Sequence, residues 1–364
     1  MAESTIIIPR VPSKAMTTAV IIPTFNESEN IAELKRRLPN DVEVLVVDDS
    51  PTKETAKAAQ AAGCLVFWRR GKGLSSAVVD GLKMCDAEAV VVMDADLQHP
   101  PELVPKLLKQ LDTHDLVVAS RRSAKGWSVK RKLISLVANT LALPLVPKIK
   151  DRTSGFFGFK RSIVNPTSLS STGWKIMLEI AVRGHPNGIA EVPYDFGIRT
   201  KGESKLTQKV MFEYLKQLVS LYLYKFRILR FAIVGGVGTL VNLTTLFLVE
   251  HFVLHSAFES AWGTAAASRA YLVAFIPAFL LAVVCNFVLN NRWTFKERSA
   301  GKVGFGKYTL MASATLPLDY LILFALTEFL GLFYVVSAFI AILTVFIIRY
   351  TASNKLIWRK SAST

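Results

Sequence analysis

Four apolar runs follow one another after about residue 224, at 231–250, 271–290, 308–329 and 332–350. Each has about the 20 residues a helix needs to cross a bilayer. They predict an all-α transmembrane domain of four helices within residues 229–364. Basic clusters precede the first run (Lys225, Arg227, Arg230), separate the second from the third (Arg292, Lys296, Arg298, Lys302, Lys307) and follow the fourth (Lys355, Arg359, Lys360). The first-to-second connection carries only Arg269, and the third-to-fourth carries no basic residue. Lysine and arginine stay on the cytosolic side. A multi-pass protein is therefore expected, with both termini and everything before the first run cytosolic. Gly235-Gly236-Val237-Gly238 would let helices approach closely, in one chain or in a homo-oligomer formed through these helices. Asn242, Asn286, Asn290 and Asn291 either tie helices together or line a lipid path.

Before the runs, charged and apolar residues mix as in a soluble domain. The net charge of +16 over 364 residues would suit nucleic acid, but many of the basic residues flank apolar segments. That pattern fits the anionic surface of a lipid bilayer, and no nucleic-acid partner is expected. Cys64, Cys85 and Cys285 show no paired spacing, which implies free thiols in a reducing compartment. The five histidines show no zinc-like spacing. Residues 1–16 read as a tail: the apolar run at 5–9 is too short for a signal peptide, and Pro9 and Pro12 interrupt its continuation.

In residues 17–207, short apolar strands alternate with helices. Residues 18–23 form a strand ending at Thr24-Phe25-Asn26-Glu27, and a helix over 29–38 comes next, capped by Asn26 or Ser28. Residues 42–47 form a strand ending in Asp48-Asp49-Ser50-Pro51. Residues 64–68 form a third strand. After Gly71-Lys72-Gly73 comes a helix that Ser75 or Ser76 would cap. A fourth strand begins at Val90. This order predicts an α/β domain with a mostly parallel, Rossmann-like sheet, whose ligands bind outside the carboxyl ends of the strands. The acidic residues Glu27, Asp48, Asp49, Asp94 and Asp96 all stand at such ends. Each could be a plain turn, but turns formed independently would seldom put their acids on one edge.

The fourth strand ends in Asp94-Ala95-Asp96-Leu97-Gln98. Alternation along a strand would turn Asp94, Asp96 and Gln98 to one face. Three oxygen donors there suit Mg2+ or Mn2+ with positions left for phosphate oxygens. The plainer reading is a polar turn in which Asp96 caps the next helix. Residues 128–145 and 208–228 look amphipathic. Lys130, Arg131 and Lys132 stand beside Leu133, Ile134, Leu136, Val137 and Leu141, as suits a headgroup layer.

The strings IIPTFNESEN, VVDDSP, GKGLSSAVVDGL, VVMDADLQHPPEL, ASRR, RKLIS, TSGFFGFKR, GWKIMLEI and VPYDFGIRTKGESKL resemble those of family 2 glycosyltransferases of the GT-A fold. Within that group they resemble the dolichol-phosphate mannose synthases. RFAIVG and NFVLNNRWTF resemble a GtrA-like four-helix membrane module. The resemblance implies an inverting transfer of mannose from GDP-mannose to the phosphate of dolichol or a related polyprenol. It also implies residue roles. Pro23, Phe25, Glu27, Val47 and Asp49 would line the nucleoside pocket, with Asp48 and Lys72 on the donor side. Asp94, Ala95, Asp96 and Gln98 would hold the sugar diphosphate; Asp94, Asp96 and Gln98 would ligate the metal. Arg121, Arg199 and Lys205 would meet the donor phosphates or the acceptor, and Arg121, Arg131 and Ser135 the lipid phosphate. Catalysis would rest on Asp96, Arg121, Arg199 and Lys205. VVDDSP is one residue shorter than the usual acidic loop, leaving open which of Asp48 and Asp49 faces the nucleotide. Phe25 replaces a frequent tyrosine.

The acceptor is a phosphate monoester with a second pKa near 6, so no general base is needed. Residues 198–206, with Arg199 and Lys205, read as a flap that closes over the substrates. Two other readings stay open at this point: a polyprenyl-phosphate glucosyltransferase using UDP-glucose, and a lipid-linked sugar transporter with a non-catalytic soluble domain. A processive polysaccharide synthase is disfavoured by the absence of Q-x-x-R-W.

Overall fold

A computed structural model describes residues 17–69, 73–122, 128–170, 173–197, 208–262, 271–298, 300–301 and 303–359. The chain divides into two units, Met1–Lys225 and Phe226–Thr364.

The first unit is built on seven strands: β1 (Thr18–Thr24), β2 (Glu43–Asp48), β3 (Leu65–Trp68), β4 (Ala89–Val92), β5 (Leu116–Arg121), β6 (Phe157–Lys160) and β7 (Ile189–Tyr194). Their order is β3-β2-β1-β4-β6-β5-β7. Every pair is parallel except those of β6, which runs antiparallel to β4 and to β5. The sheet is thus mostly parallel, as expected, with one reversed strand that the periodicity did not announce. Val20, Ile22, Val46, Val91 and Phe156 sit in a core fully shielded from water, each contributing about 1.5–3 kcal/mol by burial. Helices α1 (Ser28–Arg37), α2 (Glu54–Ala61), α3 (Leu74–Met84) and α4 (Val104–Gln110) cover the sheet. Helix α3 lies so near β1 that a Cβ on Gly81 would stand 2.9 Å from the Ile21 side chain.

Two expected caps are corrected. Glu27, not Asn26 or Ser28, precedes α1, and its side chain makes no cap bond. Asn26 has φ +57, and its N–H donates to Ser50 Oγ at 2.8 Å, so the turn is tethered to the loop after β2. Gly73, with φ +86, starts α3. That conformation is open to glycine at no steric cost, and it puts Ser75 and Ser76 inside the helix, where both are buried.

Helix α5 (Val129–Leu141) has no buried residue, and Ser128 caps it by accepting from the Arg131 N–H at 3.3 Å. It is shorter than the expected 128–145: a turn comes after it, burying Leu145 and Ile149. After α6 (Ile176–Arg183), helix α7 (Gln208–Lys225) is strapped to this region. Tyr214 Oη donates to Ala138 O at 2.8 Å, Tyr222 Oη to Leu141 O at 2.7 Å, and Lys225 Nζ to Pro144 O at 3.0 Å. Both helices leave large apolar side chains uncovered, among them Leu133, Leu136 (62% exposed), Phe212 (70%) and Val219.

In the second unit, four helical stretches are long and apolar enough to cross a membrane: Arg227–Ala261, Val273–Thr294, Gly304–Glu328 and Tyr334–Ile357. They match the four runs and extend several of them. Their regular parts are α8 (Arg227–Val249), α9 (His255–Trp262), α10 (Tyr271–Leu289), α11 (Gly304–Glu328) and α12 (Tyr334–Ala352). Of the glycine cluster, only Gly238 makes the close approach: a Cβ there would lie 2.2 Å from the Asn286 side chain, whereas Gly235 and Gly236 meet nothing. At one end of the unit Trp358 is fully buried, stacked on Phe295 at 4.7 Å and donating to Asn291 Oδ1 at 3.0 Å. Basic residues gather there too. Arg227 pairs with Glu297 at 2.8 Å, Arg230 donates to Trp293 O at 3.1 Å, and Arg298 donates to Asn354 Oδ1 at 2.7 Å and Trp358 O at 3.0 Å.

Candidate active site

Strand β4 ends at Val92, two residues before Asp94. The three donors are therefore not aligned by strand alternation; a turn in which Leu97 takes φ +58 arranges them. Asp96 and Gln98 are both buried, and Asp96 Oδ1 accepts from the Gln98 N–H at 3.2 Å. Gln98 Nε2 donates to Gly197 O and Gly197 N–H to Gln98 O, each at 3.0 Å. The turn is thereby pinned to the start of the basic segment that begins at Ile198. The Asp94 side chain is 37% exposed. A Cβ on Gly155 would stand 3.1 Å from its Oδ2, so glycine there leaves the carboxylate its room.

The organiser of this turn is His99, which the sequence reading did not single out. It is buried, stacked on Phe156 at 5.2 Å and edge-on to Tyr194 and Phe196. Burial pushes it down to about 4, so it is neutral at pH 7. Its Nδ1 accepts from the Asp94 N–H at 3.2 Å, which puts the ring proton on Nε2. Among the described residues no group of three or more His, Cys, Asp or Glu is placed to hold a metal ion; the set here is two carboxylates and an amide. An all-oxygen set suits a hard cation and not zinc.

On the nucleoside side, Asp48 is wholly buried. Its Oδ1 accepts from Thr24 Oγ1 at 3.0 Å, Ser50 Oγ at 2.5 Å and Ser50 N–H at 3.2 Å. Burial pushes its carboxyl up. This residue braces two loops through Oδ1, while its Oδ2 is buried without a hydrogen-bond partner. The Val47 side chain is also fully buried, so only its backbone can line a pocket; Ala95 is buried as well. Asp49 Oδ2 accepts from Arg69 Nη2 and Gly73 N–H, both at 2.8 Å. Arg69, also missed from sequence, goes on to donate to Asp80 at 2.6 Å, Ser76 at 2.8 Å and Gly73 O at 2.7 Å. Pro23 and Glu27 are half-buried and Phe25 is exposed at the end of β1. Lys72, Arg199 and Lys205 lie outside the described residues.

A cleft of about 490 Å3 opens beside α5, lined by Arg121, Arg122, Ser135, Asn139, Lys150 and Thr153 among others. It joins two of the residues expected around the lipid phosphate, Arg121 and Ser135; Arg131 is not part of its lining. The fork of Arg121 is engaged: Nε and Nη2 reach the two Asp151 oxygens at 2.7 Å each, and Nη2 reaches Thr153 Oγ1 at 2.9 Å. Burial alone would raise Asp151, but these bonds override it and hold the carboxyl below the usual range. Arg122, exposed at the cleft, is a further cation that the sequence reading passed over. So is Lys175, half-buried, whose Nζ donates to Thr153 O at 2.7 Å. Burial, then the nearby Arg121 charge, brings it down to about 8, with Asp94, Asp151 and Arg131 also in reach.

The glycosyl transferase family 2 model matches residues 19–166, and the model of the GtrA/DPMS transmembrane domain matches residues 230–358. The dolichol-phosphate mannosyltransferase of Pyrococcus furiosus is 35% identical over 366 residues, covering 94% of this chain and 99% of that one. The chain belongs to the dolichol-phosphate mannosyltransferase family. It is a glycosyltransferase and a membrane protein. The dolichol-phosphate mannosyltransferase of Saccharomyces cerevisiae is 38% identical over 235 residues, 57% of this chain and 88% of that one. Among solved structures, glucosyl-3-phosphoglycerate synthase from Mycobacterium tuberculosis, in complex with Mn2+, UDP-glucose and phosphoglyceric acid, covers 58% of this chain and 80% of that one. It does so at 23% identity and a TM-score of 0.45.

Proposed function

We propose that the chain transfers mannose from GDP-mannose to the phosphate of dolichol or a related polyprenol, with inversion at the anomeric carbon, on the cytosolic face of the membrane. The observation that carries this reading is the cleft beside α5. It offers Arg122, Lys150 and Ser135 beside the carboxylates of Asp151 and Glu191, while the helix that forms its wall, with no buried residue, lends it Leu136 and turns Leu133 and Val137 outward. A pocket for phosphate under an apolar helix suits a substrate with an anionic head and a hydrocarbon tail. Helices α5 and α7 would lie in the headgroup layer, and Lys225, the last residue of α7, stands two positions before the first span begins at Arg227. The cytosolic orientation is supported by the gathering of Arg227, Arg230 and Arg298 at one end of the membrane unit together with the positive-inside rule.

On the donor side, Asp94, Asp96 and Gln98 fit Mg2+ or Mn2+, which when bound supplies positive charge to the departing nucleoside diphosphate. Glu27 and Asp49 would meet the nucleoside, with Phe25 at the rim. His99 keeps the turn in place and, being neutral, adds no competing charge. Arg131 and Ser135 would receive the lipid phosphate, with Arg122 and Lys175 adding charge on the same side. The Arg121 guanidinium, already locked to Asp151, would act through its fixed charge and the geometry it imposes on Thr153. Arg199 and Lys205 complete the proposal on a segment outside the described residues.

The attacking group is the acceptor phosphate itself. With dolichyl phosphate present, GDP-mannose is expected to be consumed at least ~10^4-fold faster than UDP-glucose, the separation that leaving buried polar groups unpaired produces. Equal consumption of the two would overturn the donor assignment.

A pH profile tests the acceptor side. Activity at subsaturating acceptor should rise through about pH 6 as the monoester becomes a dianion. It should fall as Lys175 loses its proton at about 8, because a cation beside the dianion is then lost. Lys175→Arg, which stays charged, should abolish the alkaline fall; an unchanged alkaline limb would remove Lys175 from the acceptor site.

A further inference from the structure

Helix α7 buries one stripe against the rest of the first unit: Tyr214, Gln217, Leu218 and Leu221. Phe212, Leu215 and Val219 stand on the opposite face and are exposed. Gln217 puts an amide into that largely apolar stripe and is 3% exposed. Burying an amide is unfavourable unless it is hydrogen-bonded. Both ends of this one are spent on the main chain of a single residue, Lys175. Gln217 Nε2 donates to Lys175 O at 3.1 Å, and Gln217 Oε1 accepts from the Lys175 N–H at 3.4 Å. Room for this clasp comes from Gly173, where φ is +103 and a Cβ would stand 2.6 Å from Gln217 Oε1.

The clasp is not needed to satisfy the carbonyl at the start of α6. Lys175 O already accepts from the Leu178 N–H at 3.0 Å, and Lys175 precedes the helix with φ −118 and ψ 68. What the clasp fixes is where the lysine side chain begins. A lysine stem is flexible, so the position of its charge depends on where the backbone is held. Lys175 Nζ donates to Thr153 O at 2.7 Å. Thr153 lines the cleft beside α5, and its Oγ1 accepts from Arg121 Nη2 at 2.9 Å. One chain of contacts therefore runs from α7 through Lys175 and Thr153 to the Arg121 fork. An ammonium has three donors; among the described residues only Thr153 O takes one, which leaves donors for phosphate oxygens.

We propose that Gln217 is a positioning residue for the transfer reaction: by clasping the Lys175 main chain it holds the Lys175 ammonium at the cleft, where that charge meets the acceptor phosphate. The inference rests on the reading under Proposed function and adds to it a residue that touches neither substrate, 42 positions further along the chain than Lys175. Helix α7 thus serves both ends of the lipid: its outward face suits the hydrocarbon, and its buried face places the cation for the phosphate.

The test is steady-state transfer by the full chain in detergent, with dolichyl phosphate and GDP-mannose varied in turn, for the wild type, Gln217→Met, Lys175→Met and the double variant. Methionine matches glutamine in length and removes both hydrogen bonds. A hydrogen bond to a charged group is worth about 10- to 100-fold in affinity. Gln217→Met should raise the acceptor KM about 10-fold and leave the GDP-mannose KM within about twofold of the wild type. Lys175→Met should raise the acceptor KM at least as much. In its background Gln217→Met should add less than about twofold, because residues that act through one contact are not additive. Gln217→Asn, one methylene shorter, keeps the amide's polarity while withdrawing both bonds. It carries the same test if the methionine variant does not fold, as judged by helix content and melting temperature. An unchanged acceptor KM in Gln217→Met, an equal rise in both KM values, or effects that multiply in the double variant overturns the inference and leaves the catalytic reading intact. Absence of mannosyl transfer by the wild type overturns the catalytic reading instead.

Discussion

Asp96→Ala is expected to lower turnover by about 10^3-fold while leaving the fold in place. Removing a single preorganised stabiliser of transition-state charge costs about 10^2–10^3 in rate, and a metal ligand supplies several kcal/mol of the same kind. Asp96 does both jobs in this account. It is buried, and its Oδ1 also braces the turn by accepting from the Gln98 N–H at 3.2 Å. Asp96→Asn separates the two roles, because the amide oxygen can keep that bond while the charge is gone. The asparagine variant should still lose at least ~100-fold in turnover, with a melting temperature within a degree or two of the wild type. Turnover within threefold of the wild type in Asp96→Asn would mean that no cation is held there.

The largest loss of stability should come from Arg69→Ala. Arg69 is buried and spends its guanidinium on Asp49, Asp80, Ser76 and the Gly73 carbonyl. Breaking a buried pair by removing one partner costs about 3–5 kcal/mol, since the other charge stays behind; here two carboxylates are left. For a unit of about this size that is a fall on the order of 10 °C in melting temperature. Arg69→Lys keeps the charge but not the planar fork and should fall between. The same bonds fix Gly73 and the start of α3 against the end of β2, so donor affinity should fall with stability in both variants. A melting temperature unchanged within 2 °C in Arg69→Ala would show that the network contributes little.

These two predictions differ in how far the sequence foreshadows them. Asp96 was visible because a run of buried-type residues stopped at an acid, and acids at strand ends announce a site in a parallel sheet. The four spans were visible because length and hydropathy alone define them. The hidden features depended on residues far apart in the chain. Arg69 meets Asp49 across 20 residues and Arg121 meets Asp151 across 30, and no periodicity reports such pairs. His99 and Lys175 gained their character from burial, which comes from tertiary packing. Strand β6 is only four residues long and runs against its neighbours; the short Phe157-Gly158-Phe159-Lys160 string has no alternation long enough to reveal it. The turn at Leu97 was missed for a local reason: a leucine at φ +58 is uncommon, so sequence patterning favours a strand that simply continues.

The most direct measurement tracks the sugar. The purified full chain in detergent is given dolichyl phosphate and GDP-mannose labelled in the sugar, with Mn2+ present. The label is expected to move to the lipid, EDTA to stop the transfer, and added Mn2+ or Mg2+ to restore it. Label that stays on the nucleotide, or transfer to the lipid that proceeds undiminished in EDTA, would contradict metal-assisted mannosyl transfer.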